Sequence, residues 1–240
     1  MTTRSLDEFY DKPLREFPLL SRILLRCALV ILWLGTKLLW RWSIDGATHL
    51  NASSDASGRI IICNHTSMGE VPVIVAHLMM QGRAVRSMAK SEFFKHGLLA
   101  QAFSRAGAFP VERGTADMKA LRRAQRALMR GEDLLIFPEG TRVRTDTQPV
   151  EIHGGFALIA QMAKAPVVPM AVCGFRDITP VGSHISLPRT CWLAAGSSLS
   201  LNDAPASLGR RERLAWLEKE AMRRVYELRD TLRAQHPGRS

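Results

Sequence analysis

Short apolar runs alternate with segments of helical periodicity through the middle of the chain. The runs cover residues 59–63, 84–88, 108–112, 133–137 and 166–172. Their length and their polar, Gly- or Pro-containing boundaries predict buried β-strands. Between them, apolar residues three and four positions apart predict helices at about 71–80, 116–130 and 155–163. Strands that alternate with helices predict an α/β fold, a single mixed sheet flanked by helices.

The pattern continues to the end of the chain. Residues 185–195 predict one or two further strands. Residues 208–233 predict one long amphipathic helix, because its apolar residues recur at spacings of three and four. These residues are Leu214, Leu217, Ala221, Val225, Leu228 and Leu232. The opposite, Arg-rich face is interpreted as a solvated surface.

The most apolar segment of the chain, residues 17–42, precedes this alternating region. Its uncharged part runs only from Cys27 to Thr36, which is too short to span a bilayer. The basic flanks and the tryptophans near one end favour a helix or helical hairpin that lies in a membrane interface. A core helix of a soluble domain is the alternative, and a cleaved signal peptide fits poorly. We therefore divide the chain into a membrane-associating segment, 1–45, and a main domain, 46–240.

The charge of the chain predicts an anionic partner. The 33 Lys and Arg against 22 Asp and Glu give a formal net charge of +11. Nucleic acid, anionic lipid and a phosphorylated substrate all fit such a charge. No helix-turn-helix, zinc-finger or RNA-binding signature is present, so nucleic acid is not expected.

The cysteines and histidines do not suggest a metal site. Cys27, Cys63, Cys173 and Cys191 form no C-x-x-C pair and all lie in apolar runs. We expect four buried, reduced thiols. The seven histidines show no ligand spacing, so no metal is expected.

The stretch CNHTSMGEVP, Cys63 to Pro72, places a histidine and a carboxylate at the end of a predicted strand. One interpretation is a general base, His65, held by an acid, Glu70. The other is a capping box in which Ser67 begins the helix and Glu70 closes it. Pro72 favours a helix that begins at Gly69 or Glu70, because proline is tolerated in the first turn. His65 would then lie in the loop, free to fold back on Glu70.

Three further segments follow in order. They are GAFPVERGT (107–115), IFPEGTR (136–142) and APVVPM (165–170). Together with the preceding N-H-x-S loop they resemble the motifs of the glycerolipid acyltransferase family, which includes 1-acylglycerol-3-phosphate acyltransferases. The resemblance spans about residues 58–172.

The resemblance implies a reaction and a set of roles. His65 would act as the base that activates an acceptor hydroxyl, and Glu70 would orient it. The residues expected to bind the substrate are Arg113, Glu139, Gly140, Thr141 and Arg142. Acyl-CoA or acyl carrier protein would be the co-substrate, with no cofactor and no metal. The partners would be a lysolipid acceptor and an anionic membrane surface, at the cytoplasmic face of the membrane.

The chain departs from the family pattern at two places, and both concern the acceptor. Glu70 stands where the family usually has Asp, and Ile152-His153-Gly154-Gly155 stands where it often has Phe-Lys-x-Gly. Lysophosphatidic acid is the first expectation for the acceptor. A phosphate-free acceptor such as a lyso-ornithine lipid is the alternative. A non-catalytic membrane-binding relative is a third hypothesis, against which the intact histidine and carboxylate argue.

Overall fold

One seven-stranded sheet organises the chain. The computed structural model describes residues 6–51, 57–95, 97–112, 117–179 and 186–239. The strands are β1 (Ser43–Asp45), β2 (Ile60–Cys63), β3 (Val85–Lys90), β4 (Phe109–Val111), β5 (Asp133–Ile136), β6 (Val167–Cys173) and β7 (Trp192–Ala195). They lie in the order β1-β7-β6-β2-β5-β3-β4. All neighbours are parallel except β6 and β7, which are antiparallel, so the predicted mixed sheet is confirmed.

Helices cover both faces of the sheet. They are α1 (Asp7–Asp11), α2 (Leu19–Trp40), α3 (Glu70–Met80), α4 (Gly97–Arg105), α5 (Met118–Met129), α6 (Gly155–Ala163) and α7 (Arg210–Gln235). Short 3-10 turns lie at Leu14–Glu16, Ala47–Leu50, Ser91–Phe94, Arg176–Ile178 and Leu201–Asp203. The predicted helices at 71–80, 116–130, 155–163 and 208–233 are confirmed as α3, α5, α6 and α7.

Three of the labelled elements were not predicted from the sequence: the five-residue helix α1, the strand β1 and the helix α4. β1 is a three-residue strand that pairs with β7, too short to show an alternating pattern. In α4, the leucines at 98 and 99 are exposed, and only Ala100 and Ser104 are buried. Because α4 shows no apolar stripe facing the core, periodicity gave no signal for it. Of the predicted 185–195 strand region, residues 180–185 lie outside the described residues, and β7 is the strand that the described part contains.

The central strand, β2, contributes to the core on both faces of the sheet. It pairs in parallel with β5 on one side and with β6 on the other, and it is fully buried. Ile60 and Ile62 pack into the cluster that includes α5, α6 and α7. Ile61 and Cys63 pack into the opposite cluster, which includes α3 and the end of α2. Such burial on both faces explains why the strand reads as a continuous apolar run.

The apolar N-terminal segment forms one continuous helix, α2, rather than a hairpin. The 22-residue helix is long and apolar enough to cross a membrane by length and composition, with 17% of its most apolar window buried. Leu20, Leu24, Ile31, Leu34 and Leu38 are among its exposed side chains. A core helix of a soluble protein would be mostly buried, so the exposed apolar face indicates membrane association.

The segment before residue 46 is nevertheless bound closely to the sheet. The Leu14 N–H donates to Glu132, and the Arg123 guanidinium bonds Asp7 at 2.8 Å. At the other end, Trp40 and Trp42 are buried in the core cluster of α3. The domain boundary at residue 45 stays a prediction, and β1 shows that the sheet includes residues on the N-terminal side of it.

Candidate active site

The loop that follows β2 lies at the carboxyl end of the middle strand of the sheet. Parallel α/β sheets place their functional groups at this end of the strands. Asn64 fixes the start of the loop to β6: its side-chain carbonyl accepts from the Val172 N–H at 2.8 Å. Its amide group donates to the Val172 carbonyl at 3.2 Å. The next residue, His65, is thereby held at the C-terminal edge.

His65 and Glu70 meet, as the position of Pro72 suggested. Helix α3 begins at Glu70 after Gly69, so the loop runs through Met68. The Nδ1 of His65 lies 2.6 Å from Oε1 of Glu70. A carboxylate only accepts hydrogen bonds, so Nδ1 carries the proton and Nε2 is the basic nitrogen. Among the described residues, Nε2 has no hydrogen-bond partner.

Glu70 is fully buried and its charge is stabilised by the backbone. Its carboxylate accepts from the Thr66 N–H at 2.7 Å and from the Ser67 N–H at 2.8 Å. It also lies at the N-terminus of α3, where the helix dipole favours an anion. The Ser67 contact is half of a capping box, although the helix begins after Gly69 and not after Ser67. The two interpretations of this stretch therefore describe one arrangement, in which Glu70 orders the loop and orients His65.

A second carboxylate, Glu139, holds the other side of the histidine loop. Its Oε2 accepts from the His65 backbone N–H at 2.7 Å, and its Oε1 accepts from the Tyr226 hydroxyl of α7 at 3.2 Å. Burial raises the pKa of this carboxyl group above its usual 4.5. Burial is also the main cause that raises the pKa of Tyr226 to about 12, and the adjacent Glu139 carboxylate raises it further. These bonds give Glu139 a positioning role, and its assignment as a substrate-binding residue stays a prediction.

The loop after β5 completes the surroundings of His65. The imidazole stacks on the Phe137 ring with centroids 4.3 Å apart. The Val143 N–H donates to the His65 carbonyl at 2.7 Å. The backbone of His65 is thus fixed from both sides by the segment 137–143, which follows it by more than seventy residues in sequence.

The remaining predicted residues differ in their placement. Gly140 lines the pocket beside His65 with φ +62°, and a Cβ there would lie 2.5 Å from the His153 ring. Thr141 is exposed, and Arg142 is half-buried. Within the described part of the chain, the Arg142 guanidinium makes no hydrogen bond or ion pair. Arg113 lies outside the described residues.

His65 lies on the wall of a pocket of about 550 Å³. Most of its lining is apolar and comes from β3, the 3-10 turn after it, α4, α5 and α6. Met88, Phe93, Phe103, Leu121, Phe156 and Ile159 are among these residues. Polar groups on the wall include Lys90 and His153. The arrangement can bring a long apolar chain next to a basic nitrogen.

Sequence reasoning missed several supporting residues and misplaced one cysteine. Tyr226 and Phe137 were not singled out, because a tyrosine in an amphipathic helix and a phenylalanine in a strand normally indicate packing. Cys63, Cys173 and Cys191 are buried as expected, whereas Cys27 is exposed on α2, so the expectation was wrong for that residue. The apolar run around Cys27 lies on a helix whose side chains are largely exposed. Periodicity identifies an apolar helix, but it does not show whether protein covers its side chains. Among the residues that the structure describes, no three His, Cys, Asp or Glu side chains are grouped to hold a metal ion.

Comparisons with known proteins identify the family of the chain. The family model described as Acyltransferase matches residues 44–173. A 1-acyl-sn-glycerol-3-phosphate acyltransferase of Bacillus subtilis is 32% identical over 176 residues, which are 73% of this chain and 83% of that protein. A lyso-ornithine lipid O-acyltransferase of Pseudomonas aeruginosa is 29% identical over 50% of this chain and 44% of that protein.

The fold agrees as well. The crystal structure of the 1-acyl-sn-glycerophosphate acyltransferase PlsC from Thermotoga maritima superposes with a TM-score of 0.63. The match covers 87% of this chain and 81% of that one at 20% identity. With more than half of its length matched by the family model, the chain belongs to the acyltransferase family and is an O-acyltransferase of the 1-acyl-sn-glycerol-3-phosphate acyltransferase type.

Proposed function

We propose that this enzyme transfers a fatty acyl chain from a thioester donor to the free hydroxyl of 1-acylglycerol-3-phosphate, with His65 as the general base. One observation carries the proposal: His65 is bonded through Nδ1 to the buried Glu70, while its Nε2, at the wall of an apolar pocket, has no partner among the described residues. A histidine whose Nδ1 is held by a carboxylate and whose Nε2 faces a pocket is arranged to accept a proton from a substrate.

The reaction requires no covalent intermediate on the protein. Nε2 of His65 takes the proton of the acceptor hydroxyl as its oxygen attacks the thioester carbonyl. The tetrahedral adduct then collapses, the C–S bond breaks, and the departing thiolate takes the proton back from the imidazolium. Glu70 stabilises the imidazolium while it exists, because its charge lies 2.6 Å from Nδ1. Proximity of hydroxyl and thioester supplies much of the rate.

The pocket suits the hydrocarbon part of a substrate. Its apolar wall reaches from His65 to α4 and α6. Burying each methylene group of an acyl chain contributes about 0.8 kcal/mol. The thioester carbonyl of such a chain would lie at the His65 end of the pocket. Either acyl-CoA or acyl carrier protein can present this group, and no further cofactor is needed.

Arg142 supports an acceptor that carries a phosphate. Its guanidinium has no partner among the described side chains, and its neighbour Val143 is bonded to His65. An arginine donates two parallel hydrogen bonds to a phosphate. Family resemblance assigns Arg113, Gly140 and Thr141 to the same site. The B. subtilis relative is named for a phosphate-bearing acceptor, 1-acyl-sn-glycerol-3-phosphate.

Helix α2 and the charge of the chain support a location at a membrane. The exposed apolar face of α2 and the net charge of +11 fit an anionic membrane surface. We propose that the enzyme acts at the cytoplasmic face of the membrane.

A lyso-ornithine lipid is the second candidate acceptor. The similarity to the P. aeruginosa lyso-ornithine lipid O-acyltransferase favours it, as does His153 at the position where the family often has a lysine. A headgroup without phosphate needs no permanent cation at that position.

Transfer of labelled acyl groups tests the proposal. Purified enzyme is given acyl-CoA or acyl carrier protein with a panel of lysolipids, and the products are separated. We expect phosphatidic acid from 1-acylglycerol-3-phosphate and none from the His65→Ala control. Transfer only to the lyso-ornithine lipid would favour the second candidate, and transfer to no lysolipid would contradict both.

A further inference from the structure

The outer face of α4 exposes aliphatic side chains that the fold does not use. Leu98 is 86% exposed and Leu99 is 51% exposed. The inner face of the helix is small and polar: Ala100 and Ser104 are buried, and Ser104 bonds the Tyr10 hydroxyl at 3.2 Å. The helix is therefore held by its inner face, and the two leucines remain in water unless something covers them.

This surface is continuous with the pocket beside His65. Phe93 lies in the turn before α4, is 37% exposed, and also lines the pocket. Its ring stacks on Phe103 of α4 with centroids 5.6 Å apart and planes inclined by 8°. Phe103 lines the pocket as well. The stacked pair Phe93 and Phe103 thus lies between the exposed leucines and the pocket.

The surroundings of the leucines are positively charged. Residues 90–105 contain three cations, Lys90, Lys95 and Arg105, and one acid, Glu92. Lys90 pairs with Glu92 at 2.7 Å. Lys95 is exposed, and its ammonium group has no hydrogen bond or ion pair among the residues that the structure describes. Exposed aliphatic groups bordered by an unpaired cation match the interface of an anionic bilayer.

The surface also connects to the apolar N-terminal helix. The Phe9 ring lies 5.0 Å from the ring of Phe17, which comes just before α2. The guanidinium of Arg105, the last residue of α4, lies 5.2 Å from the Phe9 ring. α4 is thus connected to the segment just before α2 through two aromatic residues, Phe9 and Phe17.

We propose that Phe93, Lys95, Leu98 and Leu99 form a second membrane-contacting surface, the α4 surface, which seats the pocket on an anionic phospholipid bilayer. Lipid chains then pass between bilayer and pocket without crossing water. The proposal rests on the proposed function, since it assumes that the pocket receives a lipid. A bilayer fits better than an acidic carrier protein, because two adjacent exposed leucines dominate the surface. Among the described residues of 90–105, Lys95 is the one cation without an ion pair or a ring contact.

Matched glutamate variants test the α4 surface. Leu98→Glu is compared with the control Met129→Glu. Met129 is 66% exposed and is the last residue of α5. Because α5 leads into the start of β5, Met129 lies at the amino-terminal end of the strands, whereas Leu98 follows the carboxyl end of β3. Both changes keep a good helix former at an exposed site. Flotation is measured with phosphatidylcholine vesicles that do or do not contain phosphatidylglycerol. We expect Leu98→Glu to weaken vesicle binding about tenfold or more, and Met129→Glu to leave it unchanged.

Activity is measured with two forms of the acceptor in the same variants. One acceptor is embedded in vesicles, and the other is a short-chain lysolipid that is monomeric in solution. Leu98→Glu is expected to lose transfer to the embedded acceptor and to keep transfer to the soluble one. Lys95→Glu is expected to weaken binding about fivefold or more on vesicles that contain phosphatidylglycerol, and not on phosphatidylcholine alone.

Three results would overturn the proposal. The first is Leu98→Glu binding vesicles like the wild type. The second is an equal loss of transfer to the soluble acceptor, which would assign Leu98 to the fold or the site. The third is a loss confined to acyl carrier protein as donor with vesicle binding intact, which would make the α4 surface a carrier-docking site. A wild type that binds vesicles through α4 but acylates no lysolipid would contradict the proposed function and leave the membrane contact standing.

Discussion

The Glu139 carboxylate accepts a hydrogen bond from the backbone N–H of His65, a residue that precedes it by 74 positions. Two segments that are separate motifs in the sequence are therefore one rigid unit in the fold. Tyr226 of α7 bonds the other oxygen of the same carboxylate, so the last helix also takes part. Three regions of the chain together fix the position of the proposed base.

This unit predicts graded losses in Glu139 and Tyr226 variants. Tyr226→Phe removes one bond and should cost about 1 kcal/mol of stability, with a small loss of activity. Glu139→Ala also leaves the His65 N–H unpaired, so it should cost more in stability and lower kcat strongly. Chemical denaturation and steady-state kinetics measure both. Equal activity in Glu139→Ala and wild type would contradict the positioning role.

Glu139 also predicts a pH dependence. Burial raises its pKa above 4.5 in the folded protein, so its protonated form favours folding. The contribution is fully present below the unfolded pKa and is lost as the pH rises through the folded value. The stability of Glu139→Gln relative to the wild type should therefore increase as the pH is raised from about 4. Denaturation at several pH values measures this difference, and a flat or falling difference would contradict the direction.

His65→Ala should abolish transfer without unfolding the protein. General-base catalysis contributes about 10²- to 10⁴-fold, and the side chain lies at the wall of a pocket rather than in the core. Ser67→Ala is the control, because within the described part of the chain the one hydrogen bond of the Ser67 hydroxyl is the one it accepts from the Gly69 N–H at 3.1 Å. Kinetics and thermal melting measure both. If Ser67→Ala were as inactive as His65→Ala, or an acyl-enzyme were trapped, direct attack would be wrong.

Arg142→Lys should impair phosphate-bearing acceptors selectively. Lysine keeps the charge and loses the bidentate geometry, so the acceptor KM should rise while transfer to a phosphate-free acceptor stays unchanged. Arg144, an exposed arginine two residues later, provides the matched control in Arg144→Lys. Equal losses for both classes of acceptor would remove the main support for a phosphate clamp.

Thiol labelling should report the position of α2. Cys27 is exposed on this helix, whereas Cys63, Cys173 and Cys191 are buried, and burial raises the pKa of each of these three thiols. A water-soluble maleimide near neutral pH should label Cys27 alone in detergent-free protein, because only thiolates react. Addition of anionic vesicles should protect it. Labelling of Cys27 that is unaffected by bound vesicles would show that this part of α2 stays in water.

Leucine substitutions on α2 should release the enzyme from membranes without disturbing the site. Leu38 is 85% exposed, and Leu20 and Leu24 are also exposed. Replacing these three by Gln should weaken flotation with anionic vesicles by about tenfold or more, while the thermal midpoint changes little. Deletion of the segment is a poorer experiment, since Trp40 and Trp42 belong to the core. Unchanged flotation would contradict membrane binding by α2.

Local patterns in the sequence were sufficient for most of the fold and for the pair His65 and Glu70. β2 is buried on both faces, so its run of isoleucines identified it directly, and Pro72 placed the start of α3. These signals are local, because strand burial and helix starts depend on residues within a few positions of one another. The order of the four motifs along the chain then identified the family.

Only the tertiary structure decided what surrounds the histidine and what remains exposed. The bonds from Glu139 to His65 and Tyr226 join residues that no periodicity relates, because the sheet order brings β2 and β5 together and α7 packs mainly on β6, the other neighbour of β2. Leu98 on α4 and Cys27 on α2 are apolar by type, and their exposure depends on which helix faces find a partner in the fold. The hydrophobicity of a residue predicts that its side chain is more stable away from water. The packing of the fold determines whether protein or membrane covers it.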